Sequence, residues 1–332
     1  MWTRIVLCMV LGSCGFQSRA GVGVPDETGT IDAALPGDGP GSGAGDGSSA
    51  APSCEQHWLD GSVKIAAASV EELTALNSAG DDRDPWISQD GKRLYFARSP
   101  GMKGGSDIYL TTRGSTDDPF ADGSDVVNLN TPDQEDRAAL TPDETLLVLS
   151  TDHNIAGGKS VIAIATRTDA GKDFGTPDER LLTNVNLDSS NHFDPFPSRD
   201  GLRLYLAPNS GPAGRQQIKV AVRPAVTVEF LTPVDVGGIN SANTSNADPA
   251  LAFDERVLVF SSDRGGGTVR GDLYYASRPN LVTPFGTPRP IPTVNSNAED
   301  GDPMLSADGC ELYFASTRDG GKFHLFHARI TK

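Results

Sequence analysis

Short apolar runs alternate with polar, glycine-rich turns along most of this chain. No long stretch keeps the 3.6-residue apolar period of an amphipathic helix. The clearest unit is Glu299–Ser316, EDGDPMLSADGCELYFAS. Asp302-Pro303 starts an extended segment, because proline fixes its own φ and pushes the residue before it away from helix. Pro303–Ser306 predicts a short strand and Leu312–Ala315 a second one, rich in β-formers. Asp308-Gly309 between them predicts a tight hairpin turn with positive φ at both central positions. A glycine-rich loop, Arg318–Gly321, leads to a third strand, Phe323–Arg329.

The unit recurs. DPWISQDGKRLYFAR starts at Asp84, DPFPSRDGLRLYLAP at Asp194 and DPALAFDERVLVFSS at Asp248. A degraded copy, RAALTPDETLLVLST, starts at Arg137 and lacks both the Asp-Pro and the glycine. With Asp302 the starts are 53, 57, 54 and 54 residues apart, a period that means a propeller or a solenoid. β-signals without helical periodicity favour the propeller. Before each unit an asparagine closes a short apolar segment: Asn77, Asn130, Asn186, Asn240 and Asn295. The first segment, around Val63–Leu76, has no unit before it, and the last unit has no segment after it. A ring resolves both, with the N-terminal strand completing the last blade and leaving no open sheet edge. The fold class is therefore all-β, a five-bladed propeller, with six blades as the alternative.

DPxxSxDGxxLYFAS followed by GGxxDIYxxxR resembles the TolB-type β-propeller repeat, a relative of the WD repeat, over roughly Gly61 to Lys332. The resemblance implies a propeller and protein–protein contact in the bacterial envelope. Such a motif is specific for fold and weak for function.

The formal net charge of −16 argues against a nucleic-acid partner and against peripheral attachment to anionic lipid. Residues 1–13 read as an export signal: Arg4, then IVLCMVL, then small residues. Leu11-Gly12-Ser13-Cys14 resembles a bacterial lipobox, which implies lipidation of Cys14; the alternative is cleavage after Ala20. Gly15 after the cysteine implies the outer membrane under the family rule. Residues 14–56 form a low-complexity linker too poor in large apolar residues to order itself, and 57–332 form the propeller. Cys54 and Cys310 remain as an even pair in an oxidising compartment and predict a disulfide across the ring closure.

The candidate surface is one rim of the ring. The loops entering the inner strands carry Asp82 and Asp84, Glu135 and Asp136, His192 and Asp194, Asp248, and Asp300 and Asp302. The loops between second and third strands are glycine-rich and carry basic residues, among them Arg98, His153, Arg215, Arg270 and Arg318. A cation or basic-peptide site competes with pairing inside and between blades, and with each aspartate hydrogen-bonding its own turn. His192, Arg137 and Glu135 break the repeat. No phosphate-loop, nucleophile-elbow or zinc-protease motif occurs, and neither a cofactor nor a metal is expected. The reading is a non-enzymatic, monomeric envelope lipoprotein whose propeller binds a protein or a glycan. The alternative is a glycan-active enzyme using carboxylates at the channel mouth.

Overall fold

A computed structural model describes residues 53–152, 159–187, 190–265 and 271–331. The expected signal segment, Cys14, the linker through residue 52, His153, Arg270 and Lys332 lie outside the described residues. Helix α1, Cys54–Asp60, comes first, followed by the short strand β1, Glu71–Glu72. The helix therefore begins inside the stretch read from sequence as linker.

Five antiparallel sheets follow. Blade 1 is β2 (Asp81–Ile87), β3 (Arg93–Ser99), β4 (Asp107–Thr112) and β5 (Ser124–Asp125). Blade 2 is β6 (Glu135–Leu140), β7 (Leu146–Thr151) and β8 (Val161–Thr166), with a single further bridge from Ile164 to Asp178. Blade 3 is β9 (Phe196–Pro197), β10 (Arg203–Leu206), β11 (Lys219–Val222) and β12 (Val234–Asp235). Blade 4 is β13 (Asn246–Ala252), β14 (Val257–Ser262), β15 (Asp272–Ser277) and β16 (Arg289–Pro290). Blade 5 is β17 (Asp300–Leu305), β18 (Glu311–Ser316) and β19 (His324–Arg329), closed by β1, with Glu71 opposite His327. The inner strands β2, β6, β9, β13 and β17 neighbour one another in a closed cycle. The chain is a five-bladed β-propeller, closed by its N-terminal strand.

Each landmark of the repeat has a structural use. The Asn77 side chain hydrogen-bonds both the N–H and the C=O of Leu325, and Asn130 does the same to Ile108. Asn186, Asn240 and Asn295 repeat this on Ile162, Ile218 and Leu273. Each amide thus stands in for a missing strand partner. In the hairpin turn, Ser306 donates its hydroxyl to Asp308 Oδ1 (2.7 Å), and the Cys310 N–H donates to the same oxygen (3.0 Å). Only Gly309 has positive φ, 68°, so the expected pair of positive-φ residues is corrected. The aspartate side chain holds the turn and leaves a single left-handed position.

At that position blades 2 and 4 carry Glu144 (φ 57°) and Glu255 (φ 62°) instead of glycine. The strain is offset by charge. Glu144 binds Arg93 of blade 1 (2.5 Å) and Arg167 (2.9 Å), and Glu255 binds Arg203 of blade 3 (2.6 Å). Glu144→Ala should therefore lower stability by about 3 kcal/mol, because it leaves buried arginine charge unpaired. Glu144→Gly should lose about 1 kcal/mol less, since glycine relieves the backbone. Urea denaturation at unchanged m-value reads both.

α1 seals the closure. The Trp58 indole N–H donates to the Gly309 carbonyl (2.8 Å), its ring meets Tyr275 edge-on, and it is fully buried. Cys54 and Cys310 are joined by a disulfide, Cα–Cα 5.2 Å, across 256 residues of sequence. So long a loop gives a large chain-entropy effect. Cys54→Ser with Cys310→Ser should cost about 2–4 kcal/mol, read as a lower midpoint in guanidinium.

Candidate active site

At or just before the start of each inner strand stands a buried polar residue. These are Asp82, Glu135, His192, Asn246 and Asp300, none more than 2% exposed. Asp82 accepts from the Ser78 N–H and from Arg98 Nε (2.7 Å). Glu135 accepts from Thr131 and Thr151. Asp300 accepts from Ser296, Ser316 and Arg318. The expectation that Asp82, Glu135 and His192 lie on a binding rim is corrected, because these side chains are enclosed; Asp300 is buried as well but borders the cavity at the loop tips. Asp136 differs: it lines a cleft of about 180 Å³ with Asp152, Asn191 and Phe193.

Two residues further along each strand the chain makes a bulge. The register shifts between Arg83 and Trp86, Asp136 and Ala139, Ala247 and Ala250, and Gly301 and Met304. At the bulge sit Asp84, Arg137, Asp248 and Asp302, with Asp194 in the matching place of blade 3. All five have φ between 53° and 60°. This backbone turns the side chain out of the sheet and into the central channel. The five residues line a cavity of about 50 Å³ with Trp86, Phe196 and Met304.

The result is a ring of four carboxylates and one guanidinium. The carboxylates do not bond their own turns, as the sequence reading had allowed, but the next blade. Asp194 Oδ2 accepts the Asp248 N–H (3.1 Å), Asp248 Oδ2 that of Asp302 (3.3 Å), and Asp302 Oδ2 that of Asp84 (3.4 Å). The relay stops at Asp84, whose Oδ2 has no hydrogen-bond partner among the described residues. Arg137 forms an ion pair with Asp194 and another with Asp248 (2.8 Å). Ser261 also donates to Asp248, and Gln216 to Asp194 (3.2 Å).

The electrostatics split the ring in two. Burial pushes the Asp84 carboxyl up to about 6, against the attraction of Arg137 and with the help of Asp136 and Asp248. Burial raises Asp302 well above the carboxylate range too, reinforced by Asp84 and Asp248. Arg137 is held firmly charged by Asp84, Asp248 and Asp302. Asp84 and Asp302 thus hold their protons to higher pH than ordinary carboxyls do, and Asp194 and Asp248 form the ion pairs with Arg137. Three members, Arg137, Asp248 and Asp302, also floor a wider cavity of about 520 Å³ on the side of the loop tips, walled by Arg83, Phe193, Gln216 and Phe323. None of the five lines the cavity at the opposite mouth. Among the described residues no group of three His, Cys, Asp or Glu is placed to hold a metal ion.

Solved glycoside hydrolases share this fold. A solved glycoside hydrolase matches at TM-score 0.59 with 10% identity, over 84% of this chain and 94% of that one. An endo-arabinase from Bacteroides thetaiotaomicron matches at TM-score 0.54 with 15% identity, over 79% and 97%. A putative TolB from Agrobacterium tumefaciens matches at TM-score 0.46 with 17% identity, over 78% and 89%. No protein-family model and no curated protein matches the sequence. At these identities the likeness fixes the fold. It overturns the expectation that the chain is no enzyme, because the architecture behind that expectation is one that glycoside hydrolases also use.

Signals for the site were present in the sequence. Arg137 broke the Asp-Pro pattern and so marked the ring's cation. The pairing of Asp84 with Asp302 had no sequence signal, since the two are far apart in the chain and meet only when the ring closes.

Proposed function

We propose that this propeller acts on a glycan at the loop-tip mouth of its channel, as a glycoside hydrolase. The observation that carries the reading is the split ring. Burial raises the carboxyls of Asp84 and Asp302, while Asp248 beside them forms an ion pair with Arg137. Glycoside hydrolysis needs that division: one carboxyl protonates the leaving oxygen while another, ionised, acts on the opposite side of the sugar. Asp84, raised to about 6, is the general acid in this reading, and Asp248, held by Arg137, is the second carboxyl. Phe193 and Phe323 line that mouth together with polar Arg83 and Gln216, the mixture of apolar and polar groups that a sugar-binding cleft requires. The solved relatives by fold, an endo-arabinase among them, make pentose and hexose polymers the substrates to try first.

The test is release of reducing ends from a panel of α- and β-linked pentose and hexose oligosaccharides. The wild type should release product from at least one. Release from none, with the protein folded and the panel cleaved by control enzymes, would sink the proposal. The location at the envelope, through a lipid on Cys14, is part of the same proposal and rests on the N-terminal sequence. No helix among the described residues is long and apolar enough to cross a membrane.

A further inference from the structure

The interface beneath neighbouring blades is built from one repeated arginine. Arg113, Arg167, Arg223 and Arg278 each follow the third strand, and each lies over a phenylalanine seven residues later, at 4.1–4.4 Å from Phe120, Phe174, Phe230 and Phe285. Each donates Nε to a carbonyl of its own blade's hairpin turn, at Gly91, Glu144, Gly201 or Glu255. In three of the four, the rest of the guanidinium is matched. Arg113, Arg167 and Arg278 reach the hydroxyls of Tyr313, Tyr95 and Tyr205 in the preceding blade (3.0–3.2 Å). The same three face the carboxylates of Glu311, Glu144 and Glu255.

Arg223 has lost both partners. The residue in register with the tyrosines is Val148, and the turn position that holds Glu144 and Glu255 holds Gly201. Arg223 is 4% exposed, and neither Nη1 nor Nη2 has a hydrogen-bond partner among the described residues. A buried guanidinium without a counter-charge is strongly unfavourable. Replacing a tyrosine and a glutamate by valine and glycine also removes bulk at the same spot. A Cβ at Gly201 would stand 3.5 Å from Val226 Cγ1, 3.6 Å from Arg223 Nη2 and 3.8 Å from Leu146 Cδ1, which is ordinary contact. Val226 is 51% exposed, so one side chain separates the site from solvent.

We propose that Nη1 and Nη2 of Arg223 bind a small monovalent inorganic anion, such as chloride, where Glu144 and Glu255 place their carboxylates beside Arg167 and Arg278. The walls, Leu146, Val148 and Val226, are apolar. They offer nothing to the remaining hydration of sulfate or phosphate and favour a weakly hydrated halide. The anion completes the charge pattern of the blade 2–blade 3 interface and ties its stability to halide in the medium.

The experiment is thermal unfolding at constant ionic strength, with chloride replacing the bulky gluconate from 0 to about 200 mM, which removes the general screening effect. The wild type should gain about 3 °C in a saturable way, as ligand linkage requires. Arg223→Met should show no gain. Gly201→Glu, which supplies the carboxylate from the chain at a φ its sister residues already adopt, should also show none, and should match the chloride-saturated wild type. A wild type indifferent to chloride overturns the proposal. So does an equal gain in Arg223→Met or in Gly201→Glu. If Arg223→Met does not fold, Gly201→Glu decides alone.

Discussion

Arg137→Met is expected to lower stability by about 4 kcal/mol at pH 8 and by far less at pH 5. Arg137 is the one cation in a ring of Asp84, Asp194, Asp248 and Asp302. Removing it leaves buried carboxylates facing one another, a change typically worth about 3–5 kcal/mol. The carboxyls can escape by taking up protons, and they do so more readily at low pH. Folded-state pKa values raised further by the loss of Arg137 mean that the folded variant binds protons the unfolded chain has released. Its stability therefore falls as pH rises, more steeply than that of the wild type. Urea denaturation at the two pH values reads the difference. Equal losses at pH 5 and pH 8 would show that Arg137 acts through packing on Phe193, not through charge.

The second large effect is opposite in sign for stability and function. Asp84→Asn should abolish turnover by about 10³-fold, the size of a general-acid contribution. At pH 7 it should also stabilise the protein by roughly 2 kcal/mol, within the limit set by the rise to about 6. The sign follows from linkage. The Asp84 proton is held in the folded state up to about pH 6 and lost from the unfolded chain near pH 4. Wild-type stability therefore declines as pH rises through that window, and asparagine removes the decline. Sites that cost stability and confer activity show this exchange. If Asp84→Asn lost stability at pH 7, the carboxylate would be a structural partner and the reading of the ring would be wrong.

The ring itself was legible because its signals are local and repeated. Asp-Pro, the Ser-x-Asp-Gly turn and the β-rich Leu-Tyr-Phe run each state one element, and the five asparagines count the blades. Closure followed from an unmatched segment at each end. What could not be read is which acids share a surface. Asp82 and Asp84 are two apart on one strand, and simple alternation would put them on the same face. The bulge, with Asp84 at φ 55°, sends Asp82 into the blade and Asp84 into the channel. Nothing in the residues Asp81–Trp86 announces that shift before the neighbouring blades are in place. The arginine–phenylalanine pairs, by contrast, were visible as a fixed spacing of seven in four repeats, from Arg113 and Phe120 to Arg278 and Phe285. They lie outside the aspartate-centred unit.

The most direct test of the proposal that the channel acts on a glycan is the rate of product release by wild type and Asp84→Asn between pH 4.5 and pH 8, on whichever oligosaccharide the panel selects. The wild-type rate should fall as pH rises through about 6, where Asp84 loses its proton. The folded Asp84→Asn protein should release about 10³-fold less across the whole range. A wild-type rate that stays level or rises through pH 6, or an Asp84→Asn variant that turns over as fast, would contradict the account.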